Sequence, residues 1–166
     1  MEHNQSNSSH DEKKHCVFVI SKADPESLAA EKLMNELSDT LQAITGDSGR
    51  SSFDPADIGH PRGFFVIAYN SQQEALGCGA IRPMEGNSAE IKRMYTRYKG
   101  AGIGNAILSY LEKQAKELGY VSLKLETRLI NHNAVRFYEA MGYKRIENYG
   151  KYAGNGEAIC FEKIID

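Results

Sequence analysis

The stretch AEIKRMYTRYKGAGIGNAILSYLEKQAKELG, residues 89–119, holds the three signals on which the fold turns. Its first part, AEIKRMYT (Ala89 to Thr96), reads as a strand, and strict alternation puts Glu90, Lys92 and Met94 on one face and Ile91, Arg93 and Tyr95 on the other. Its last part repeats Ile103, Ile107, Leu111, Ala115 and Leu118 at helical spacing and closes on Gly119. Between them lies KGAGIG, in which Gly100, Gly102 and Gly104 stand directly after a strand and at the start of a helix. Glycines there let the backbone turn tightly and let a ligand approach its N–H groups, while the helix N-terminus adds partial positive charge. That is the physics of a phosphate or pyrophosphate cradle. The same glycines would also serve close packing of strand on helix.

Two common nucleotide loops are excluded at one position. A Walker loop needs Gly-Lys followed by Ser or Thr, and a dinucleotide fingerprint needs a third Gly three positions beyond the second. Asn105 occupies the deciding slot in both cases.

Working outward, FFVIAY (Phe64 to Tyr69) and EALGCGAI (Glu74 to Ile81), joined by NSQQ, read as a hairpin leading into the Ala89 strand. Upstream, CVFVI (Cys16 to Ile20) reads as a strand and Asp24-Pro25 as a helix N-cap and first-turn pair. Leu33, Leu37, Leu41 and Ile44 then mark one apolar helix face up to Gly46. Asp47 to Arg62 shows no sustained period and is a long surface loop, a kind of segment often functional. Downstream come a strand at Tyr120 to Thr127, a short helix at Asn131 to Gly142, and two closing strands in YKRIE and AICFEKII. The expected fold is α/β: a single domain with a mixed sheet of about seven strands flanked by helices, in the order β-α-β-β-β-α-β-α-β-β. Residues 1–15, apolar only at Met1, read as a disordered tail that includes His3, His10 and His15, and residues 16–166 as the domain.

Composition limits what such a domain does. With 20 Lys+Arg against 22 Asp+Glu the formal charge is −2, so there is no general basic surface for nucleic acid or anionic membrane. Any polyanion must be met locally by a loop. No apolar run approaches the ~20 residues of a membrane span, and the N-terminus lacks a secretory signal, so a cytoplasmic protein is expected. Cys16, Cys78 and Cys160 are widely spaced, without a CxxC pair, and read as reduced core residues. No metal site is expected.

At this point the residues resemble the GCN5-related N-acetyltransferase (GNAT) family. The resemblance rests on KGAGIG at Lys99 to Gly104, on the AEIKRM strand, on Asn131, Ala134 and Tyr138 in N-x-x-A-x-x-x-Y spacing, on MGY at 141 to 143, and on the terminal CFEK. It spans about Cys16 to the C-terminus. Two departures stand out: the first motif position is Lys99 rather than Arg or Gln, and the Thr96–Lys99 connection is about two residues short and lacks the usual Pro.

The resemblance implies acetyl-CoA as co-substrate and direct acetyl transfer, through a ternary complex, to a primary amine on a small molecule or peptide. It implies that the backbone of Lys99, Gly100, Ala101, Gly102, Ile103, Gly104 and Asn105 holds the coenzyme A pyrophosphate, and that Met94, Tyr95 and Thr96 pair with the pantetheine amides. Asn131 would hydrogen-bond the pantetheine arm, Ala134 would give it room beside Phe137, and Tyr138 would aim its hydroxyl at the thioester sulfur. A thiolate of pKa ~8.5 leaves more readily with a donor, and a phenol near ~10 is still protonated at neutral pH. The acceptor ammonium, pKa ~10.4, must lose a proton before attack. Glu90 matches the family's base position, with Glu126 in reserve. Two other readings remain open: a coenzyme-binding regulatory module without catalysis, and transfer of another short acyl group. The acceptor is open too, since Asp54 and Asp57 would suit a cationic amine and Arg62 and Lys151 an acid group, with Tyr149 and Tyr152 beside them. The family also allows a homodimer.

Overall fold

A computed structural model describes residues 17–165. The elements run β1 (Val19–Ala23), α1 (Leu28–Thr45), β2 (Phe64–Tyr69), β3 (Ala75–Pro83), β4 (Ser88–Thr96), α2 (Ile103–Glu117), β5 (Ser122–Arg128), α3 (His132–Ala140), β6 (Lys144–Ile146) and β7 (Ala158–Ile164). They form one seven-stranded sheet in the order β1-β2-β3-β4-β5-β7-β6, with β4 and β5 its parallel pair. The single mixed sheet flanked by helices agrees with the sequence reading.

Period-two alternation in β2 explains the two-layer packing. Phe65 and Ile67 join Leu33 of α1, Cys78 and Ala80 on one face, whereas Val66 and Ala68 join Ile107, Leu108 and Leu111 of α2 on the other. Each fully buried Leu or Ile contributes roughly 1.5–3 kcal/mol. The apolar stripe of α1 is only partly used by this core. Leu33 and Leu37 are buried, but Leu41 is half-buried and Ile44 is exposed, so the far end of the stripe is left facing a cleft.

Three local expectations need correction. The first strand, Val19–Ala23, overlaps the Cys16–Ile20 run only at Val19 and Ile20 and extends three residues beyond it, and Cys16, like the whole 1–15 tail with its histidines, lies outside the described residues. The N-cap of α1 is Ser27, whose Oγ accepts from Ala30 N at 3.3 Å. Asp24 instead caps a turn: its Oδ1 accepts from Glu26 N and its carbonyl from Ser27 N, delaying the helix by three residues. The 47–62 loop also contains two short 3₁₀ turns, Arg50–Ser52 and Pro55–Ile58, the second capped by the Asp54 side chain.

The alternation expected along β4 fails at Arg93. Gly79 of β3 faces two residues, Arg93 and Met94, where the ladder shifts between the Ala80↔Lys92 and Cys78↔Tyr95 pairs. Arg93 adopts φ +55°. This β-bulge flips the parity, so Glu90, Lys92, Arg93 and Tyr95 lie toward α1, while Met94 packs toward α2. Glycines at 77 and 79 make room for it: a Cβ on Gly77 would sit 2.5 Å from the Tyr95 carbonyl oxygen, and one on Gly79 would sit 2.7 Å from Met94 Sδ.

Candidate active site

Strands β4 and β5 pair only at Ser88↔Ser122, Ala89↔Leu123 and Glu90↔Lys124. Beyond Glu90 they part, which leaves that edge of β4 without a neighbouring strand. The opening is a cleft of about 910 Å³ running through the sheet, lined by β4 from Ile91 to Thr96 and β5 from Leu125 to Arg128.

The cleft is lined by Met94, Tyr95 and Thr96 of β4 and, on the α2 and α3 side, by Lys99, Gly100, Gly102, Ile103, Gly104 and Asn105, then Asn131, Ala134, Phe137 and Tyr138. The expected coenzyme residues are thus brought together, apart from Ala101, which is exposed and off the lining. Gly100 and Gly102 have φ +76° and +79°, and a Cβ on either would meet nothing within 4 Å. Backbone conformation and open space, not close packing, account for these two glycines. Gly104 is the packing glycine, with a hypothetical Cβ 3.3 Å from the Phe137 ring. Gly102 caps α2 without any side-chain hydrogen bond, so the first N–H groups of that helix keep their donors for a ligand. Free helix N–H groups and an unpaired strand edge fit a pyrophosphate followed by a diamide arm.

Asn131 is the N-cap of α3, its Oδ1 accepting from Ala134 N at 3.4 Å, which leaves its amide N–H groups as donors. Tyr138 is buried against Phe137, Tyr143 and Phe161. Burial alone raises its phenol pKa, so it stays protonated throughout the neutral range.

The α1 side differs more from the sequence reading. Glu90 is 1% exposed, and both its oxygens are engaged. Oε1 accepts from Arg82 Nε at 2.7 Å and lies 3.6 Å from Lys92 Nζ; Oε2 accepts from the Tyr149 hydroxyl at 2.6 Å. Asp57 extends the network by accepting from Arg82 Nη1 at 2.9 Å. Glu90 does not line the cleft, and neither do Asp54, Asp57, Tyr149 or Arg62. Arg62 stacks on Tyr120 and donates to the Leu118 carbonyl.

Glu126 does line it. Its Oε1 is buried without a hydrogen bond, 3.5 Å from Arg128 Nε, and burial raises its carboxyl pKa above the ordinary value against the pull of Arg128 and Lys92. A buried carboxylate poised nearer neutrality, beside a cavity, is a recognisable proton acceptor. Lys92 shows the converse: burial lowers its pKa while its ammonium donates to the Tyr152 hydroxyl at 2.9 Å.

Other roles were out of reach of the sequence. Arg93 reaches from the bulge to the Met34 carbonyl at 3.0 Å and Ser38 Oγ at 2.6 Å on α1, tying the strand to the helix. Arg97 clamps Glu36 of α1 with Nε and Nη2, hydrogen bonding that lowers the Glu36 pKa, and its Nη1 donates to the Ala75 carbonyl. Cys78 donates to the Arg93 carbonyl, and burial pushes its thiol up to about 12, as expected for an unreactive core cysteine. Cys160 is likewise buried and free. Among the described residues no cluster of His, Cys, Asp and Glu suits a metal ion, and no helix is long and apolar enough to cross a membrane.

Comparison with known proteins agrees with this geometry. The family model for the acetyltransferase (GNAT) family matches residues 30–143. An IAA acetyltransferase of Azospirillum brasilense is 27% identical over 150 residues, covering 89% of this chain and 97% of that protein. An uncharacterised N-acetyltransferase of Schizosaccharomyces pombe is 35% identical over 94 residues, which are 55% of this chain and 58% of the relative. Among solved structures, one described as a candidate acyl-CoA N-acyltransferase from Klebsiella pneumoniae superposes with TM-score 0.76 at 26% identity, covering 90% of this chain and 99% of the other. From loop, cleft and these likenesses together, the chain belongs to the GNAT family of N-acetyltransferases.

Proposed function

We propose that the protein transfers the acetyl group of acetyl-CoA directly to a primary amine in a ternary complex, with Glu126 as the base and Tyr138 as the donor to the departing sulfur. The observation that carries this reading is the through-sheet cleft, which opens to the glycine loop on one side and to Glu126 on the other. One ligand can lie along each side, and the two meet in the gap between β4 and β5. An acyl-enzyme would need a nucleophile, and the two described cysteines are buried.

In this reading the N–H groups at the start of α2 hold the pyrophosphate, with Lys99 adding charge at the rim. The free edge of β4 offers hydrogen bonds to an extended diamide arm, and the backbone around the bulge directs an N–H at the acyl oxygen. Bound there, acetyl-CoA supplies the activated acyl group. Glu126 takes the amine proton, directly or through a water; its raised pKa brings it closer to the task than a solvated carboxylate would be. The partners of Glu90 support a structural role for it instead: both its oxygens are held by Arg82 and Tyr149, and it does not line the cleft.

The test is thiol release from acetyl-CoA across a panel of amines, in the wild type and in Tyr138→Phe. A hydrogen bond to a developing thiolate contributes roughly 1.5–3 kcal/mol, so kcat should fall about ten- to hundredfold while the Kd for acetyl-CoA stays within twofold. Unchanged turnover would remove Tyr138 from the chemistry. Tight acetyl-CoA binding with no transfer to any amine would favour a binding module.

A further inference from the structure

The α1 side of the cleft carries an excess of cationic side chains whose hydrogen-bonding capacity is not used up within the protein. Lys92, Arg93, Arg128 and Lys151 line it, against only Asp47 and Glu126. Two of the cations are spoken for in part: Lys92 by Tyr152 and Glu90, and Arg93 by carbonyl and hydroxyl oxygens of α1, none of which neutralises its charge. Arg93 Nε is buried and has no hydrogen-bond partner.

Arg128 is committed only to loose ion pairs. Its nearest carboxylate oxygens are Glu126 Oε1 at 3.5 Å and Asp47 Oδ2 at 4.0 Å, ion-pair separations rather than hydrogen bonds, so among the described residues its planar fork of donors is open. Its side chain is 26% exposed, sheltered enough for a bound anion to be only weakly screened. Lys151 flanks it at the rim of the same cleft.

We infer that the acceptor is an amine bearing a carboxylate a few bonds from its nitrogen, in the manner of an α- or β-amino acid, with the carboxylate held by Arg128. This deepens the acetyltransferase reading and rests on it. A guanidinium fork matches two carboxylate oxygens in a bidentate pair. Because Arg128 Nε is 3.5 Å from Glu126 Oε1, an acid gripped there brings a nearby amine to the base; a long spacer would overshoot it. A polycation has the opposite fit. A diamine or an amino sugar would lay its further ammonium groups against Arg93, Arg128 and Lys151, and like-charge contact selects against it.

The experiment uses the full chain and matched ligand pairs. First, kcat/KM for thiol release is measured for α-amino acids, for their carboxamides, and for putrescine and spermidine. The acids should exceed both groups at least tenfold, and Arg128→Gln should erase that preference mainly by raising KM. Second, N-acetylated amino acids and their amides are titrated calorimetrically into protein saturated with coenzyme A. The acid should bind at least tenfold more tightly than its amide, and Arg128→Gln should level the two. Equal handling of acid and amide, or preference for the polyamines, would overturn the assignment to a carboxylate and leave acetyl transfer standing. Absence of transfer to every amine, with equal binding of both product analogues, would overturn both.

Discussion

Replacing Glu126 by Gln separates catalysis from folding more cleanly than any other change in the cleft. The side chain makes no hydrogen bond through Oε1, which is buried, and its ion-pair contact with Arg128 is a loose 3.5 Å. The amide keeps the volume and removes the charge that burial penalises. Two small effects therefore oppose each other, loss of attraction to Arg128 and relief of desolvation, and the net change in stability should lie within about 1 kcal/mol, or roughly 2–4 °C in Tm for a chain of this size. Catalysis should respond far more strongly. A positioned general base contributes about 10²-fold or more, equivalent to roughly 2.7 kcal/mol in the barrier.

The pH dependence supplies a second reading of the same change. Because the carboxyl pKa is raised in the folded state, Glu126 binds its proton more tightly when folded, so its contribution to stability falls as pH rises from the unfolded to the folded value. Activity has the opposite sense: the base must be ionised, and kcat/KM should decline on acidification along a limb lying above the ordinary carboxylate range. The assay is thiol release under second-order conditions from pH 5 to 9, with thermal melts in the same buffers. Glu126→Gln should lose both the rate and the acid limb. Retention of the limb with less than threefold loss of rate would refute the assignment, and loss of the limb in Glu90→Gln instead would return the role to Glu90.

Other consequences are more local. Glu90→Gln strips the carboxylate from Arg82 and Lys92 within a nearly dry site and should destabilise by about 3–5 kcal/mol, visible as a lower denaturant midpoint. Gly77→Ala drives a methyl toward the Tyr95 carbonyl at 2.5 Å, which no rotamer relieves; it should cost about 1–3 kcal/mol and weaken acetyl-CoA binding by displacing the bulge, a shift that calorimetry would detect. Ser27→Ala should cost about 1 kcal/mol in urea denaturation, more than Asp24→Ala, because only Ser27 caps the helix.

Legibility in the sequence tracked the range of the interactions involved. The helix at 103–117, the glycine loop and the number of strands follow from local periodicity and could be read directly. The faces of β4 could not, because parity there depends on a bulge stabilised by glycines on another strand, and nothing in AEIKRMYT alone marks Arg93 as the extra residue. Glu90 and Glu126 look equivalent in the sequence as acids on neighbouring strands. What separates them is Tyr149, which reaches Glu90 from 59 positions away, together with Arg82, which lies directly across the ladder. Asp24-Pro25 resembles a cap as closely as Ser27 does, and only the actual path of the chain decides between them.

The three rungs that join β4 to β5 give the molecule a mechanical character. The sheet is in effect two panels, β1 to β4 and β5 to β7, pinned at one end by Ser88, Ala89 and Glu90 and sprung apart at the other. A ligand that fills the gap lays hydrogen-bonding groups along the bare edge of one panel while touching the other, and so serves as the missing strand. Saturating ligand should accordingly slow amide exchange on both sides of the seam together and raise the melting temperature in proportion to the logarithm of its concentration. Occupancy of the cleft would then convert a hinged sheet into a continuous one.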